Sequence, residues 1–357
     1  MARILLPHVA SDSEQTRSFR THASYIRAFR ELALGGEITK PESALVGLHA
    51  SAASVLYRQH AAPRPCDREQ LFGCLRRAWA TARLLEHTHE LAGDSEIIRL
   101  ANSWGAVQAY YVLYGCAQAL MVAEGGTRPQ AHEPTKRRYV DLWTSRTMQL
   151  APWTLAAAAP GTRLADADGF LSGPGRPLDL ELHPWVSWQS EQAWDIAAKA
   201  LRSTRQVLVD DRLSHKRREL LSAKKKAWRA DREARLRSGR PPVPEPKSVR
   251  LSAAQKDDVT SAIRPVTMAD YLYRLRIKAN YEDVTMFSNG PTTDYEASTV
   301  GANLIALVCA TLLVHELRIA ALVGRDELIK AMDSVLLYGA ADSASSLAQR
   351  RDLHAGL

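Results

Sequence analysis

Residues 103–124 read SWGAVQAYYVLYGCAQALMVAE. No charged side chain interrupts this run before Glu124, and Tyr110, Tyr111 and Tyr114 sit one turn or less apart between small residues. It is too long and too evenly apolar for a strand, so it predicts a helix from Ile97 to Ala123, buried on most sides and stopped by Gly125-Gly126.

Outward from it, the same reading repeats. Before it, residues 67–91 carry Leu71, Leu75, Ala78, Trp79, Ala82 and Leu85 on one helical face, with Asp67 placed as N-cap. Earlier still, residues 13–34 place Phe19, Tyr25, Ile26, Phe29 and Leu32 at helical spacing, and residues 41–60 form a further helix with Pro41 in its first turn. After it, residues 127–187 are broken by Pro129, Pro134, Pro152, Pro160, Pro174, Pro177 and Pro184. An irregular segment is expected there, anchored by Trp143, Trp153, Trp185 and Trp188, with short strands near Leu178–Leu182. Residues 188–239 read as one long helix or two, stopped by Pro241, Pro242, Pro244 and Pro246 acting as a stiff linker. Helices return at 252–263, 267–280, 296–323 and 325–348, followed by a frayed tail. The fold class is therefore mostly α, a helical bundle with an inserted basic arm and a Pro/Gly-rich irregular segment.

The chain has 357 residues with 47 basic and 39 acidic side chains, a net charge of +8. That charge is local. Arg212–Arg250 holds 14 basic and 4 acidic residues, a net of +10, which leaves the rest of the chain at −2. A concentrated cationic arm implies a polyanion, RNA foremost, or an acidic protein partner. Its candidate contacts are Arg217, Arg218, Lys224, Lys225, Lys226, Arg229, Arg232 and Arg235, with Trp228 beside the lysine run for stacking on a base or for packing against the arm's own partner. Leu213, Leu220, Ala223, Ala227, Ala230 and Ala234 form a heptad-like stripe of small residues, open to a second helix.

Several classes are disfavoured. The N-terminus lacks a signal-peptide core, so a cytoplasmic protein is expected. Val300–Val314 is apolar but shorter than a bilayer span, contains Asn303 and runs into His315, Glu316 and Arg318, which reads as a buried central helix rather than a membrane segment. Cys66, Cys74, Cys116 and Cys309 form no CxxC pair and read as reduced thiols. No metal-ligand spacing, P-loop, dinucleotide or nucleophile-elbow motif occurs, and no cofactor is expected. His87-Thr88-His89-Glu90 puts its histidines on different helix faces.

Two stretches resemble HEPN domains, the higher eukaryote and prokaryote nucleotide-binding helical bundles. The first is the opening run, through Ala109, Tyr110, Tyr111, Tyr114, Ala117, Ala119, Leu120, Gly125 and His132; the second is LRIKANYEDVTMF, through Leu275, Arg276, Ala279, Asn280, Tyr281 and Phe287. The resemblance implies a bundle whose halves are residues 67–126 and 265–348, an insertion over 127–264 that includes the arm at 205–250, N-terminal helices over 1–66 and a tail at 349–357. It also implies a homodimer and a setting in bacterial defence or toxin–antitoxin systems. Ribonuclease members of that family carry Arg-x(4–6)-His. Arg276 stands at the Arg, but Asn280 and Tyr281 stand where the His belongs, and neither is a good general base near neutral pH. The resulting expectation is a nucleic-acid- or nucleotide-binding protein without the standard cutting motif. One alternative is an atypical metal-independent ribonuclease using Arg276 with Asn280, Tyr281 or His132; the other is a protein-interaction module.

Overall fold

The structure, a computed structural model, describes residues 13–35, 41–57, 65–90, 95–144, 150–159, 190–338 and 345–356. Twelve α-helices and one two-residue strand pair are found among them. The run that opened the sequence lies in α4 (Ser95–Ala123), which packs against α3 (Arg68–Glu90) and α10 (Asp294–Val323) more extensively than any other helices pack on each other. Asp67 caps α3 by accepting from the Gln70 amide at 3.0 Å.

Around this trio sit α1 (Glu14–Leu34), α2 (Pro41–Leu56), α8 (Met268–Ile277), α9 (Met286–Asn289), α11 (Arg325–Tyr338) and α12 (Ser346–Ala355). One continuous core joins them, from Phe19 and Ile26 on α1 through Tyr110 and Leu113 on α4 to Leu312 and Leu317 on α10. The N-terminal helices are thus part of the bundle's core. Two helices, Glu96–Ala123 and Asp294–Val323, are long and apolar enough to cross a membrane; here 78% and 72% of those apolar windows are buried inside the protein.

Burying α10 this deeply also buries its charges, and each has an ion-pair partner. Glu316 receives Arg350 Nε at 3.0 Å, Trp79 Nε1 at 2.7 Å and His354 Nε2 at 3.3 Å. Arg318 pairs with Glu124 at 2.7 Å and lies over the Trp143 ring. These contacts correct the expectation of a frayed C-terminus. Residues 346–355 form α12, capped by Ser345, and dock through fully buried Arg350 and His354 because Glu316 would otherwise be an uncompensated interior charge.

The expected irregular stretch is likewise more ordered where it is described. Residues 132–143 form α5 (His132–Trp143), which tolerates Pro134 in its first turn, and Trp143 and Trp153 are fully buried. The strand β1 (Ala156–Ala157) pairs antiparallel with β2 (Val266–Thr267). Trp185, Trp188 and residues 178–182 lie outside the described residues.

Residues 190–237 are one helix, α6 (Ser190–Arg237), 48 residues long. Its first half packs on α1 and the strand pair through Ala193, Ala197, Ala200 and Leu201. From Asp210 onward every residue is exposed or half-exposed, so the arm projects from the body. Gly239 (φ 69°) adopts the left-handed conformation that reverses the chain, with the Arg240 amide donating to Arg235 O at 2.9 Å. The proline-rich segment then runs back along the arm. Trp228 Nε1 donates to Val243 O at 2.8 Å, and Lys225 pairs with Glu245 at 3.0 Å. The return leads into α7 (Ala253–Ser261), whose Thr260 carbonyl receives Arg205. The small-residue stripe is therefore not where the arm is covered. Ala223, Ala227, Ala230 and Ala234 are exposed, and the return lies against the face of Trp228 and Lys225.

Candidate nucleic-acid site

The tyrosine run of α4 faces α5 and α8, and the three elements assemble a compact aromatic cluster. Tyr110 is fully buried, Tyr114 half-buried, and Tyr111 partly open to solvent. His132, the first residue of α5, sits against all three: its ring centroid is 5.5 Å from Tyr110, 6.3 Å from Tyr111 and 4.9 Å from Tyr114. Its Nδ1 and the Tyr110 hydroxyl are hydrogen-bonded at 2.7 Å. Tyr273 of α8 closes the cluster, 5.4 Å from His132 and 5.3 Å from Tyr110.

Two cations lie on these rings. The Arg276 guanidinium is 5.3 Å from the Tyr111 centroid, 5.8 Å from Tyr273 and 5.9 Å from Tyr110. Lys136 Nζ lies 4.1 Å from the centre of Tyr273. Such placement lets ring faces stabilise positive charge without neutralising it. Arg276 Nε is buried with no hydrogen-bond partner among the described residues. Lys136 is also held by Glu133 at 3.1 Å and Asp270 at 3.6 Å, and Arg264 bonds both carboxylates, at 3.0 Å and 2.7 Å.

These surroundings set the proton states. Burial lowers the His132 pKa from its ordinary value, and the charges of Arg276 and Lys136 lower it further. Burial raises the Tyr110 phenol well above its ordinary range. At neutral pH His132 is therefore a neutral imidazole and the Tyr110 phenol keeps its proton.

Arg276 and His132, far apart in sequence, thus share the same rings. Asn280 and Tyr281 lie beyond them on a single π-helical turn, Lys278–Glu282, that continues α8. Asn280 is half-exposed there and the Tyr281 ring is 68% exposed; neither belongs to the aromatic cluster. A π turn is a common signature of a functional site because it re-aims the side chains beside it. Sequence reasoning missed Lys136 and Tyr273. Lys136 falls one helical turn after His132, a spacing that becomes readable only once 132–143 is known to be a helix.

The arm begins close by. A cleft of about 590 Å³ at its root is lined by Arg137 and Glu133 of α5, Arg212, His215 and Lys216 of α6, and Arg264. Along the arm, Arg217, Arg218, Lys224, Lys226 and Arg229 are exposed. Arg232 stacks on Trp228 at 5.5 Å and Arg235 pairs with Asp231 at 2.6 Å. Trp228 is thus half-covered by the return and by Arg232, which leaves it poorly placed as a free stacking platform.

His89 and His87 have local partners of their own. Gly301 leaves room for the His89 ring, which a Cβ at that position would strike. His87 pairs with Glu90 at 2.9 Å. Among the described residues no group of three or more His, Cys, Asp or Glu is placed to hold a metal ion. All four cysteines are free thiols, and burial drives Cys309 up to about 12.

No protein-family model, curated protein or solved structure matches this chain.

Proposed function

We propose that this protein binds RNA, with Arg276 and the tyrosine cluster meeting the strand and the arm supplying long-range attraction. The observation that carries this reading is the half-buried Arg276 guanidinium, which lies on the rings of Tyr110, Tyr111 and Tyr273 with no carboxylate partner among the described residues. A cation so placed retains its charge for an external anion, and phosphate suits its planar donors. The exposed cations of the arm and the cleft at its root add a sequence-independent, salt-sensitive contribution. A HEPN-like identity is part of the proposal. It draws support from α4 packing on both α3 and α10, and from Arg276 lying against the tyrosines of the resemblance. The homodimeric state, the cytoplasmic setting and the role in bacterial defence follow from that identity as expectations.

One observation favours metal-independent cleavage as a second reading. His132, kept neutral and set beside Arg276, has the chemistry to accept a 2′-hydroxyl proton while the guanidinium meets the developing phosphorane charge. The histidine missing after Arg276 in the chain would then be supplied from α5.

A single experiment separates the outcomes. End-labelled RNA is incubated with the protein in EDTA and resolved on native and denaturing gels. A mobility shift without cleavage, weakened in Arg276→Ala, supports binding. Cleavage lost in both Arg276→Ala and His132→Ala supports the ribonuclease. Neither shift nor cleavage rejects both and directs attention to an acidic protein partner for the arm.

A further inference from the structure

The open edge of the tyrosine cluster continues into a second feature. Between α3, α4 and the loop at 128–130 lies a cleft of about 460 Å³, within the range of small-molecule sites. Tyr111 and Tyr114, which touch Arg276 or His132 on one side, also form a wall of this cleft. Leu84 and Thr81 of α3 contribute to the opposite wall, and Arg77 and Arg128 stand at its margins. Among the described residues no carboxylate lines it. Arg128 is held by weak contacts alone, a 3.5 Å approach to Gln130 and a backbone bond to Gln70, and its Nε is buried without a partner. The loop itself is fixed, because Gln118 Nε2 donates to Pro129 O at 2.7 Å.

We propose that this cleft is a nucleotide pocket, taking one base flat against Tyr111 with its phosphate at Arg128 and Arg77. An aromatic wall facing an aliphatic one suits a planar ring, since base–aromatic stacking does not depend on base identity. Two guanidinium groups with no competing carboxylate suit a phosphate. The exposed Gln130 amide offers a donor and an acceptor for a base edge, and the Thr81 oxygen, whose hydrogen goes to Arg77 O, an acceptor. The choice of ligand rests on the RNA-binding reading above, but the pocket stands on its own geometry. The nucleotide is either free or one unstacked residue of a strand whose neighbouring phosphate reaches Arg276.

Isothermal titration with the four nucleoside 5′-monophosphates, ribose 5-phosphate and a single-stranded hexanucleotide, all at low salt, tests this. Ala80→Trp fills the cleft from an exposed position on α3, so folding is preserved, and Arg128→Gln removes the phosphate partner. Saturable binding of a monophosphate, weakened at least about tenfold by either variant, supports the pocket. Ribose 5-phosphate should bind much more weakly. Binding of the hexanucleotide but not of monophosphates, with the same sensitivity to Ala80→Trp, assigns the pocket to a strand. A hexanucleotide and monophosphates that bind equally well to Ala80→Trp, or not at all to either protein, overturn the proposal. Long RNA that still shifts in that case leaves the RNA reading intact. Monophosphate binding without any RNA shift keeps the pocket and rejects that reading.

Discussion

His132 owes its protonation state to its neighbours. Burial, Arg276 and Lys136 all oppose a second proton, so activity or affinity that needs the neutral ring should persist below the pH at which an ordinary imidazole protonates. Binding of RNA to the wild type should therefore show no loss through deprotonation or protonation of this residue between pH 8 and 6.5; a sharp midpoint in that window, absent in His132→Gln, would contradict the assignment. Deeper in the protein, His22 and His315 are lowered to about 3, chiefly by burial. The unfolded chain takes up protons at these sites below about pH 6.5 while the folded one does not. Stability must therefore rise with pH across the interval from about 3 to 6.5 and fall on acidification. Thermal melts across that interval should show the slope, and His315→Gln should flatten it. Glu316, lowered to about 2 mainly by Arg350 against the cost of burial, adds loss in the same direction below about pH 4.5. Truncating it strands Arg350 and His354 in the core. Glu316→Ala should cost about 3–5 kcal/mol in urea unfolding, whereas an unchanged midpoint would mean that water reaches the pair.

At the level of elements, the arm is a helix covered along one face by its own return. The bond from Trp228 to Val243 is worth about 1 kcal/mol, too little to affect the bundle. Trp228→Ala should leave global stability unchanged yet speed tryptic cleavage after Arg237 and Lys247, read by limited proteolysis. If RNA follows the arm, neutralising Lys224 and Lys226 should each reduce the slope of log K against log salt by roughly 0.7. Lys225 should contribute less, because Glu245 already engages it. The arm's existence and charge were legible from composition, and Arg276 and His132 from the resemblance. Its covered face was not: the alanine stripe carries the helical period, but proline-rich chain packs through tryptophan and backbone carbonyls, which leave no period. Helices α1, α3, α4 and α10 were readable because each buries an apolar stripe longer than two turns. In contrast, α12 is short and polar, and what fixes it is one charge, Glu316, 34 residues upstream of Arg350. No local pattern announces such a pairing.

On the scale of the whole molecule, a single core unites helices from both ends of the chain. Unfolding followed by tryptophan fluorescence and by far-ultraviolet circular dichroism should coincide in one transition for the bundle, with the solvated arm adding helical signal but little cooperativity. The two long apolar helices pack on each other and on α3, and 78% and 72% of their apolar windows are buried inside the protein.

The continuity of α6 has a mechanical consequence. About 28 residues of exposed or half-exposed helix, roughly 40 Å at 1.5 Å per residue, extend without a break from the half that is wedged beside α1 and α8. With no hinge between handle and root, a pull on the far end is not dissipated in a loop. It arrives as torque on the wall that carries Arg276, so whatever grasps the tip also leans on the aromatic cluster.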